Sequence, residues 1–557
     1  MVRSLAFVLA AITLLAVSNA VLAQEAQEPE KARHVRINNG EAAVFPNIRV
    51  HPNPTVRQFE TAIVTESSGS IVLVAANAMH TLGTHASLGW YYTADGGATW
   101  IGGDTLPTHT NSSSSIGDPA VAFDTGGYFF VNGISGTSSF SPIVARSTDT
   151  GLSWTQSAIP NPTNNHRNHI AVDINPTSPY VNNVYTVYAT VGSSPIRFSR
   201  STNRGQDFSN PVTINGTVGS PVANAPNLAV GPNGELYATW TSNASVRPIG
   251  FNKSTDGGLS WGTPTAIRSI SDMGNLSKGP NTISGFSTPV MAVDCWSPGP
   301  RSGWIYIVYP ARNPTKPDIF LIRSTDGGGS WSDPIKVNQD SSGNDHWFPW
   351  ISVNPANGFL FVVYYDSRNF PANDSAEVYI SYSSDGGDTF ADILVSDAPF
   401  LPAGVGANPV GLPTTYMGSY VGISASGRSF GGGHWVWACW NDNRTGIHQV
   451  YTSRIVFSPT SVQELPSEIP TAFAVEQNYP NPFNPSTTIQ FSLPRSEFVT
   501  LRIFNMLGEE ITVLVSNRLS AGTYQAEWEP RVLPSGVYFY RLQAGSFIQT
   551  KKLLLLR

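Results

Sequence analysis

The stretch IVARSTDTGLSW, residues 143–154, decides the fold. It reads as an apolar strand, a Ser-Thr-Asp-x-Gly turn and a tryptophan on the way out. Nearly the same string returns as FNKSTDGGLSW at 251–261 and LIRSTDGGGSW at 321–331. Written as Ser/Thr-x-Asp-x-Gly-x-x-Trp/Phe, the pattern occurs six times, starting at Thr93, Ser147, Ser201, Ser254, Ser324 and Ser383. Successive starts are 54, 54, 53, 70 and 59 residues apart. Self-similarity at such a period signals a propeller or a solenoid, with one supersecondary unit per repeat.

The physics of the turn is local. The acidic or amide side chain of Asp95, Asp149, Asn203, Asp256, Asp326 or Asp385 is expected to accept hydrogen bonds from backbone N–H groups two residues on. The glycine supplies the positive φ that closes the hairpin. The Trp or Phe buries a large apolar face against a neighbouring unit. These residues therefore read as structural staples. Each unit has a first strand before a Gly or Asn turn (AVAFDTGG, 120–127), an aromatic-rich second strand, a third running into the staple and a fourth after it. First strands fall near Ala62, Ala120, Ile170, Leu228, Val290, Ile351 and Val421, which makes seven units. The seventh, 420–457, has three strands and no staple. The early segment AVFPNIRVHP (43–52) is expected to supply its fourth strand and so avoid an open seam. An all-β propeller of seven blades is predicted, with six as the alternative.

The repeated string resembles the Asp-box, or BNR repeat, and over residues 41–458 the chain resembles the sialidase-like β-propellers. The resemblance implies the fold. Asp-boxes also occur in lyases, receptors and binding propellers, so the activity stays open.

Charged residues make up 13% of the 557, far below the roughly 25% usual for soluble domains, and Gly (50) and Pro (42) are abundant. That suits many short strands joined by turns. The formal net charge is −6, without the basic footprint of a nucleic-acid binder. Residues 1–23 read as a secretory signal: Arg3, an apolar run from Leu5 to Val17 and a small-residue site ending at Ala23. A short linker, 24–40, follows. No later segment offers the roughly 20 apolar residues that span a bilayer. Cys295 and Cys439 fall in different units and are expected to be free thiols rather than a disulfide.

After a Pro/Ser-rich linker at 459–475 the pattern changes. EQNYPNPFNPSTTIQFSLP (476–494) opens a run of alternating apolar segments that reads as a small β-sandwich. That opening, Leu507-Gly508, Ser535-Gly536-Val537-Tyr538 and the Lys551-Lys552 apolar tail closely resemble the C-terminal sorting domain of the type IX (Por) secretion system. Its fold is Ig-like. The resemblance, assigned to 476–557, implies a double-membraned bacterium, the type IX machinery as partner, and a secreted or outer-membrane location.

In a propeller the staple turns share one face, and chemistry is sought on the other. Arg57 and Glu60 precede the first unit there, Asp118 the second, His166, Arg167 and His169 the third, Asp345 and His346 the sixth, Tyr416 and Tyr420 the seventh. Asp366 with Arg368, and Asp442 with Arg444, occupy matching places in units six and seven. The catalytic candidates are Asp118 and Tyr416, and the substrate-binding candidates are Arg57, Arg368, Arg444, His166 and His169. The Asp-x-Arg pairs read equally as struts. Sialidases use a Tyr nucleophile, and by resemblance three arginines hold the sugar carboxylate, the first in an Arg-Ile-Pro motif. Here that region reads Arg57-Gln58-Phe59-Glu60, and the sequence offers no clear counterpart of the Glu that assists the Tyr. Three readings stand: a hydrolase on acidic sugars, a non-catalytic glycan-binding or protein-binding propeller, and a uronate lyase using His166, His169 and Tyr416. No cofactor is implied. Oxygen ligands for Ca²⁺ are plentiful, but no motif points to a metal.

Overall fold

The computed structural model describes residues 32–556, apart from 38–39, 52–54, 81–85, 108–114, 137–138, 161–163, 194, 244–245, 296–298, 406–413, 431–432, 460–461, 466–469, 529 and 531–532. The signal assigned to 1–23 lies outside the described residues, as does 24–31 of the expected linker. Every regular element among the described residues is a β-strand. Sheet 1 runs Val56–Thr65, Val72–His80, Ser87–Thr93 and Ile101–Gly103 in antiparallel order. Sheets 2 to 6 repeat that four-stranded meander. Their first strands are Ser115–Phe123, Asn165–Val172, Ala223–Val230, Val290–Val293 and His346–Val353. Sheet 7 holds Gly422–Phe430, Gly433–Asp442 and Gln449–Pro459. Second strands such as Val72–His80 and Leu360–Asp366 are apolar almost throughout, because both of their faces are covered.

The expected completion of sheet 7 by the early chain is present in the ladder. Gly40–Val44 and Ile48–Arg49 both pair with Gln449–Pro459. Arg33–Ile37 adds a further strand outside Gly40–Val44, so part of the stretch read as linker belongs to the sheet. The first strand of each sheet packs against that of the next, and the first strand of sheet 7 packs against that of sheet 1.

The six turns are near copies. In the second, Ser147 Oγ donates to Asp149 Oδ1 (2.8 Å) and accepts from Gly151 N (2.7 Å), while Ser153 N and Oγ donate to the Asp149 carboxylate (2.8 and 2.5 Å). The carboxylate therefore captures an N–H four residues on, not two: the loop is wider than an Asx turn, and the Ser or Thr holds the nearer glycine. Asp95, Asp256, Asp326 and Asp385 repeat the pattern. Asn203 keeps the backbone bond and turns its amide to Asp207.

Each staple aromatic packs on the preceding sheet, as Trp154 does on Trp90 (5.6 Å), Trp261 on Phe198 (4.9 Å) and Trp331 on Phe251 (5.2 Å). The glycine approaches the same surface. A Cβ on Gly328, where φ is +93°, would come within 2.4 Å of Phe251. A second device, not anticipated from the sequence, works in the opposite direction. The basic residue just before the staple serine reaches the next sheet's turn. Arg146, Arg200, Lys253 and Arg323 donate to the carbonyls of Arg204, Gly257, Gly327 and Gly386. Arg454, in the staple-free sheet 7, donates to Gly96 O of sheet 1 (2.9 Å).

Residues 462–556 form two four-stranded antiparallel sheets over one apolar core that includes Ile489, Phe491, Leu501, Tyr540 and Leu553. The stretch read as a linker contributes here too: Val462–Leu465 pairs with Gly522–Trp528, and Ala474–Val475 with Thr487–Leu493. Cys295 and Cys439 are free.

Trp154→Ala is expected to cost about 3–5 kcal/mol, the usual loss for a buried aromatic. Asp149→Ala should cost less, about 1 kcal/mol for each hydrogen bond lost. Thermal and denaturant unfolding of the two variants checks the order; equal losses would contradict the packing account.

Candidate functional site

At the end of the sheets opposite the turns, the first strands of sheets 1, 2, 3, 4 and 6 each carry a β-bulge. Each bulge holds one residue at positive φ: Glu60 (+56°), Asp118 (+55°), Arg167 (+51°), Ala225 (+50°) and Phe348 (+52°). None is glycine, and left-handed backbone is costly for a residue bearing a Cβ. A bulge re-aims the side chain it carries. Here the same bend, repeated in successive sheets, turns side chains that strict alternation would separate toward one another.

The core of the site is Glu60, which is 2% exposed. The Tyr416 hydroxyl donates to its Oε1. Ser419 Oγ donates to the same oxygen (2.6 Å), and Asn77 Nδ2 donates to Oε2 (2.7 Å). Asn77 Oδ1 in turn accepts from Asp118 N (3.1 Å), and Asp118 Oδ2 accepts from Arg167 N (2.6 Å). The Arg167 guanidinium lies over the Phe286 ring at 4.5 Å. Phe286 meets Tyr416 edge-on (5.8 Å) and stacks with Phe348 (6.4 Å). The charged groups thus come from sheets 1 to 3, and the apolar ones from Phe286 and sheet 6.

Burial pushes the Glu60 carboxyl up from its ordinary 4.5 to about 7, and the Asp118 charge adds to the rise. The Ser419 and Tyr416 hydrogen bonds and Arg167 hold it from going further. Burial, then the Glu60 charge, raises the Tyr416 phenol well above its usual range. Such a phenol loses its proton only to a base in contact with it, and Glu60 is the carboxyl in contact with Tyr416. Burial lowers His166, and Arg167 lowers it further against the pull of Asp118. Among the described residues its Nδ1 has no hydrogen-bond partner. Beyond these residues a cavity of about 110 Å³ is lined by, among others, Ala62, Pro119, His169, Asn227, Trp350 and Tyr420.

Of the residues singled out from the sequence, Asp118, Tyr416, Glu60 and Arg167 come together, with His166 beside Asp118. Glu60 is hydrogen-bonded to Tyr416, a pairing the sequence did not reveal. A pattern could have pointed to the bulges: Asp118-Pro119, Ala225-Pro226 and Phe348-Pro349 stand just ahead of their strands' apolar runs. His169 serves the scaffold. Its Nδ1 accepts from Leu228 N (3.4 Å), and burial depresses its pKa to about 4. Arg57 sits three residues before Glu60, near enough to His448 to lower that ring's pKa.

Arg368 and Arg444 are each engaged by two aspartates and an aromatic ring, which supports the strut reading of the Asp-x-Arg pairs. Arg368 is held by Asp366 (2.6 Å) and Asp392 (2.7 Å) and lies over the Tyr379 ring (4.1 Å). Arg444 is held by Asp442 (2.6 Å) and Asp397 and lies over Tyr451 (4.3 Å). Asp366 and Asp442 are fully buried, and a buried carboxylate claims its nearest cation. Asp345 is likewise committed, to the buried Lys278 (2.8 Å), which also lies over Trp347 (4.5 Å). His346 binds Asp340 (2.9 Å) and stands 3.4 Å from Asp366. Among the described residues no group of three or more His, Cys, Asp or Glu side chains is disposed to hold a metal ion. Arg368→Ala is expected to destabilise the fold by about 3 kcal/mol, the loss typical when one partner of a buried pair is removed. Ligand affinity should be unchanged, as thermal unfolding and glycan titration of the variant would show.

Compared with known families, residues 48–271 match the BNR repeat-like domain, and residues 477–556 match the secretion system C-terminal sorting domain. No curated protein matches the sequence significantly. Among solved structures, a protein of unknown function from Dyadobacter fermentans DSM 18053 is 13% identical with a TM-score of 0.42, over 75% of this chain and 99% of that one. A PL25 ulvan lyase is 11% identical with a TM-score of 0.43, over 75% and 95%. A mutant NanB sialidase from Streptococcus pneumoniae is 12% identical with a TM-score of 0.40, over 63% and 70%. No activity follows from likenesses this distant. By the two family matches, the chain carries a BNR repeat-like domain followed by a secretion system C-terminal sorting domain.

Proposed function

We propose that the chain is an exported seven-bladed propeller that cleaves acidic glycans, with Tyr416 as nucleophile, Glu60 as its base, Asp118 as proton donor and Arg167 as receptor for the acidic group. The sorting domain implies the type IX secretion machinery as partner and delivery to the cell surface or the extracellular space. Among the described residues no helix is long and apolar enough to cross a membrane. Seven sheets whose first strands touch in a circle, the last completed by strands from the start of the chain, support seven blades.

The observation that carries the reading is the buried Tyr416–Glu60 hydrogen bond, linked through Asn77 to Asp118 and on to Arg167. Tyr416 attacks the anomeric carbon while its proton passes to Glu60. The bond to the leaving oxygen breaks, and Asp118 gives that oxygen a proton. Water then releases the sugar with the proton movements reversed. A tyrosine avoids the repulsion that a carboxylate nucleophile would meet near an anionic sugar. One arginine does the work that the sialidase resemblance assigns to three, since Arg368 and Arg444 are otherwise held. Acidic sugars other than sialic acid therefore belong in the substrate screen.

A second reading, elimination next to a uronate carboxylate, draws on one observation: the buried, unpartnered Nδ1 of His166 near Asp118 and Arg167. Fluorogenic release from sialosides and uronides tests hydrolysis. The ultraviolet absorbance of an unsaturated uronate tests elimination. A protein silent in both assays, yet retained on acidic glycans, would be a binding propeller and would end the catalytic reading.

Tyr416→Phe should abolish turnover, and Glu60→Gln should lower kcat by about 10²–10⁴-fold, the usual worth of a general base. The same Glu60→Gln variant carries a stability signature. Glu60 binds its proton more tightly folded than unfolded, so wild-type stability falls as pH rises from about 4.5 to about 7 and is level above that. Glutamine has no such titration. The variant's thermal midpoint should gain on wild type across that window and stay ahead at alkaline pH. Parallel pH curves for the two proteins would refute the assignment.

A further inference from the structure

We propose that Asn77 is a positioning residue that sets the two carboxyl groups of the site against each other, holding Glu60 toward Tyr416 while fixing the backbone that carries Asp118. This rests on the catalytic reading only for its consequence in turnover; the positioning itself stands on geometry.

Asn77 lies in the second strand of sheet 1 and is 6% exposed. Its Nδ2 donates to Glu60 Oε2 (2.7 Å), and its Oδ1 accepts from Asp118 N (3.1 Å). A single planar amide thus spans two sheets and touches two residues at positive φ, Glu60 and Asp118. The chain leaves room for it: a Cβ on Gly117, the residue before Asp118, would come within 3.2 Å of Asn77 Oδ1. With Asn77 on Oε2, the other oxygen of Glu60 is left for Tyr416 and Ser419. A free carboxylate would rotate about its last torsion and present either oxygen. The amide removes that freedom, and its N–H favours the ionised carboxylate that a base must be. Aspartate has the same shape and could still accept from Asp118 N. It has no N–H for Glu60 and would add a charge of the same sign.

The charged and titratable groups facing Glu60 are Asp118 from sheet 2, Arg167 from sheet 3, and Tyr416 and Tyr420 from the segment leading into sheet 7. His166 faces Asp118. All of these groups remain in the chain when Asn77 is replaced, so a change in Glu60 titration in an Asn77 variant reports the loss of the amide's contacts to Glu60 and to Asp118 N.

The experiment uses the full chain, wild type and the variants Asn77→Asp and Asn77→Ser, with circular dichroism to show that each is folded. Glutamate labelled with ¹³C at the side-chain carboxyl gives the Glu60 titration by NMR, assigned by loss of its signal in Glu60→Gln. The expected result is an upward move of the Glu60 midpoint in both variants. In Asn77→Asp it should be about one pH unit or more, because a like charge has joined the pair. The acidic limb of kcat/KM on whichever acidic glycoside is turned over should move with it. An unchanged Glu60 midpoint in folded Asn77→Ser would overturn the proposal. Absence of turnover in wild type would sink the catalytic reading alone, because the NMR midpoints still decide the role of Asn77.

Discussion

A β-ladder satisfies the backbone of its own sheet and offers nothing to the sheet beside it. Seven separate ladders therefore need another source of cohesion, and the structure supplies it with side chains that reach the neighbour's backbone. Near the site, Asn77, Asp118, His169, Asn227, Ser352 and Ser424 each accept an N–H from the next sheet. On the turn side, Arg146, Arg200, Lys253, Arg323 and Arg454 each donate to a carbonyl of the next sheet. Apolar packing of the staple aromatics fills the space between. Packing alone is tolerant of small slides, whereas a directional bond to a fixed N–H is not. The relative height of neighbouring sheets is thereby constrained by directional bonds as well as by packing.

The site depends on that constraint. Glu60, Asp118 and Arg167 lie on different sheets, and each is held in a backbone conformation that costs free energy by itself. Strain of this kind persists only where the surroundings over-determine it. The bonds between sheets do so directly: Asp118 and Arg167 are strained residues, and both give their N–H groups to the preceding sheet. Scaffold and site are here the same set of hydrogen bonds. The buried charges follow the same logic. Asp366 and Asp442, away from the site, are each given a cation. Glu60 receives neutral donors instead and keeps a proton affinity suited to chemistry near neutral pH.

The sequence made the repeat legible because everything in the turn is local. Ser, Asp, Gly and Trp act within eight residues of one another, and their spacing survives in the text of the chain. The closing strands were legible for a similar reason: seven first strands and six staples leave one unit short of a strand. The site was only half legible. Asp118 and Tyr416 could be named as polar residues at the correct end of their sheets. The link to Glu60 could not, because a bulge with positive φ breaks the alternation on which strand reading relies. The matching Asp-x-Arg pairs left two readings open for a physical reason. Equivalent positions in adjacent sheets do lie side by side, but whether an arginine faces a ligand or its own aspartate depends on burial, which spacing does not encode. The basic residue before the staple serine was visible in four copies, yet its partner lies about 58 residues away, in the next turn.

The join between sheet 1 and sheet 7 has a bearing on biosynthesis. Tyr416 leads into sheet 7, made late, and Glu60 belongs to sheet 1, made early, so their contact bridges the last seam to close. Until sheet 7 has met sheet 1, through Thr65 N on Ser424, Arg454 on Gly96 O and their packed strands, nothing holds these two groups together. Contacts of such long sequence separation form late in folding. A nascent or partly threaded chain therefore has no assembled site, whatever the state of its middle sheets. The Tyr416–Glu60 contact arrives with the meeting of sheets 1 and 7, and damage to either of these sheets removes it in the same way.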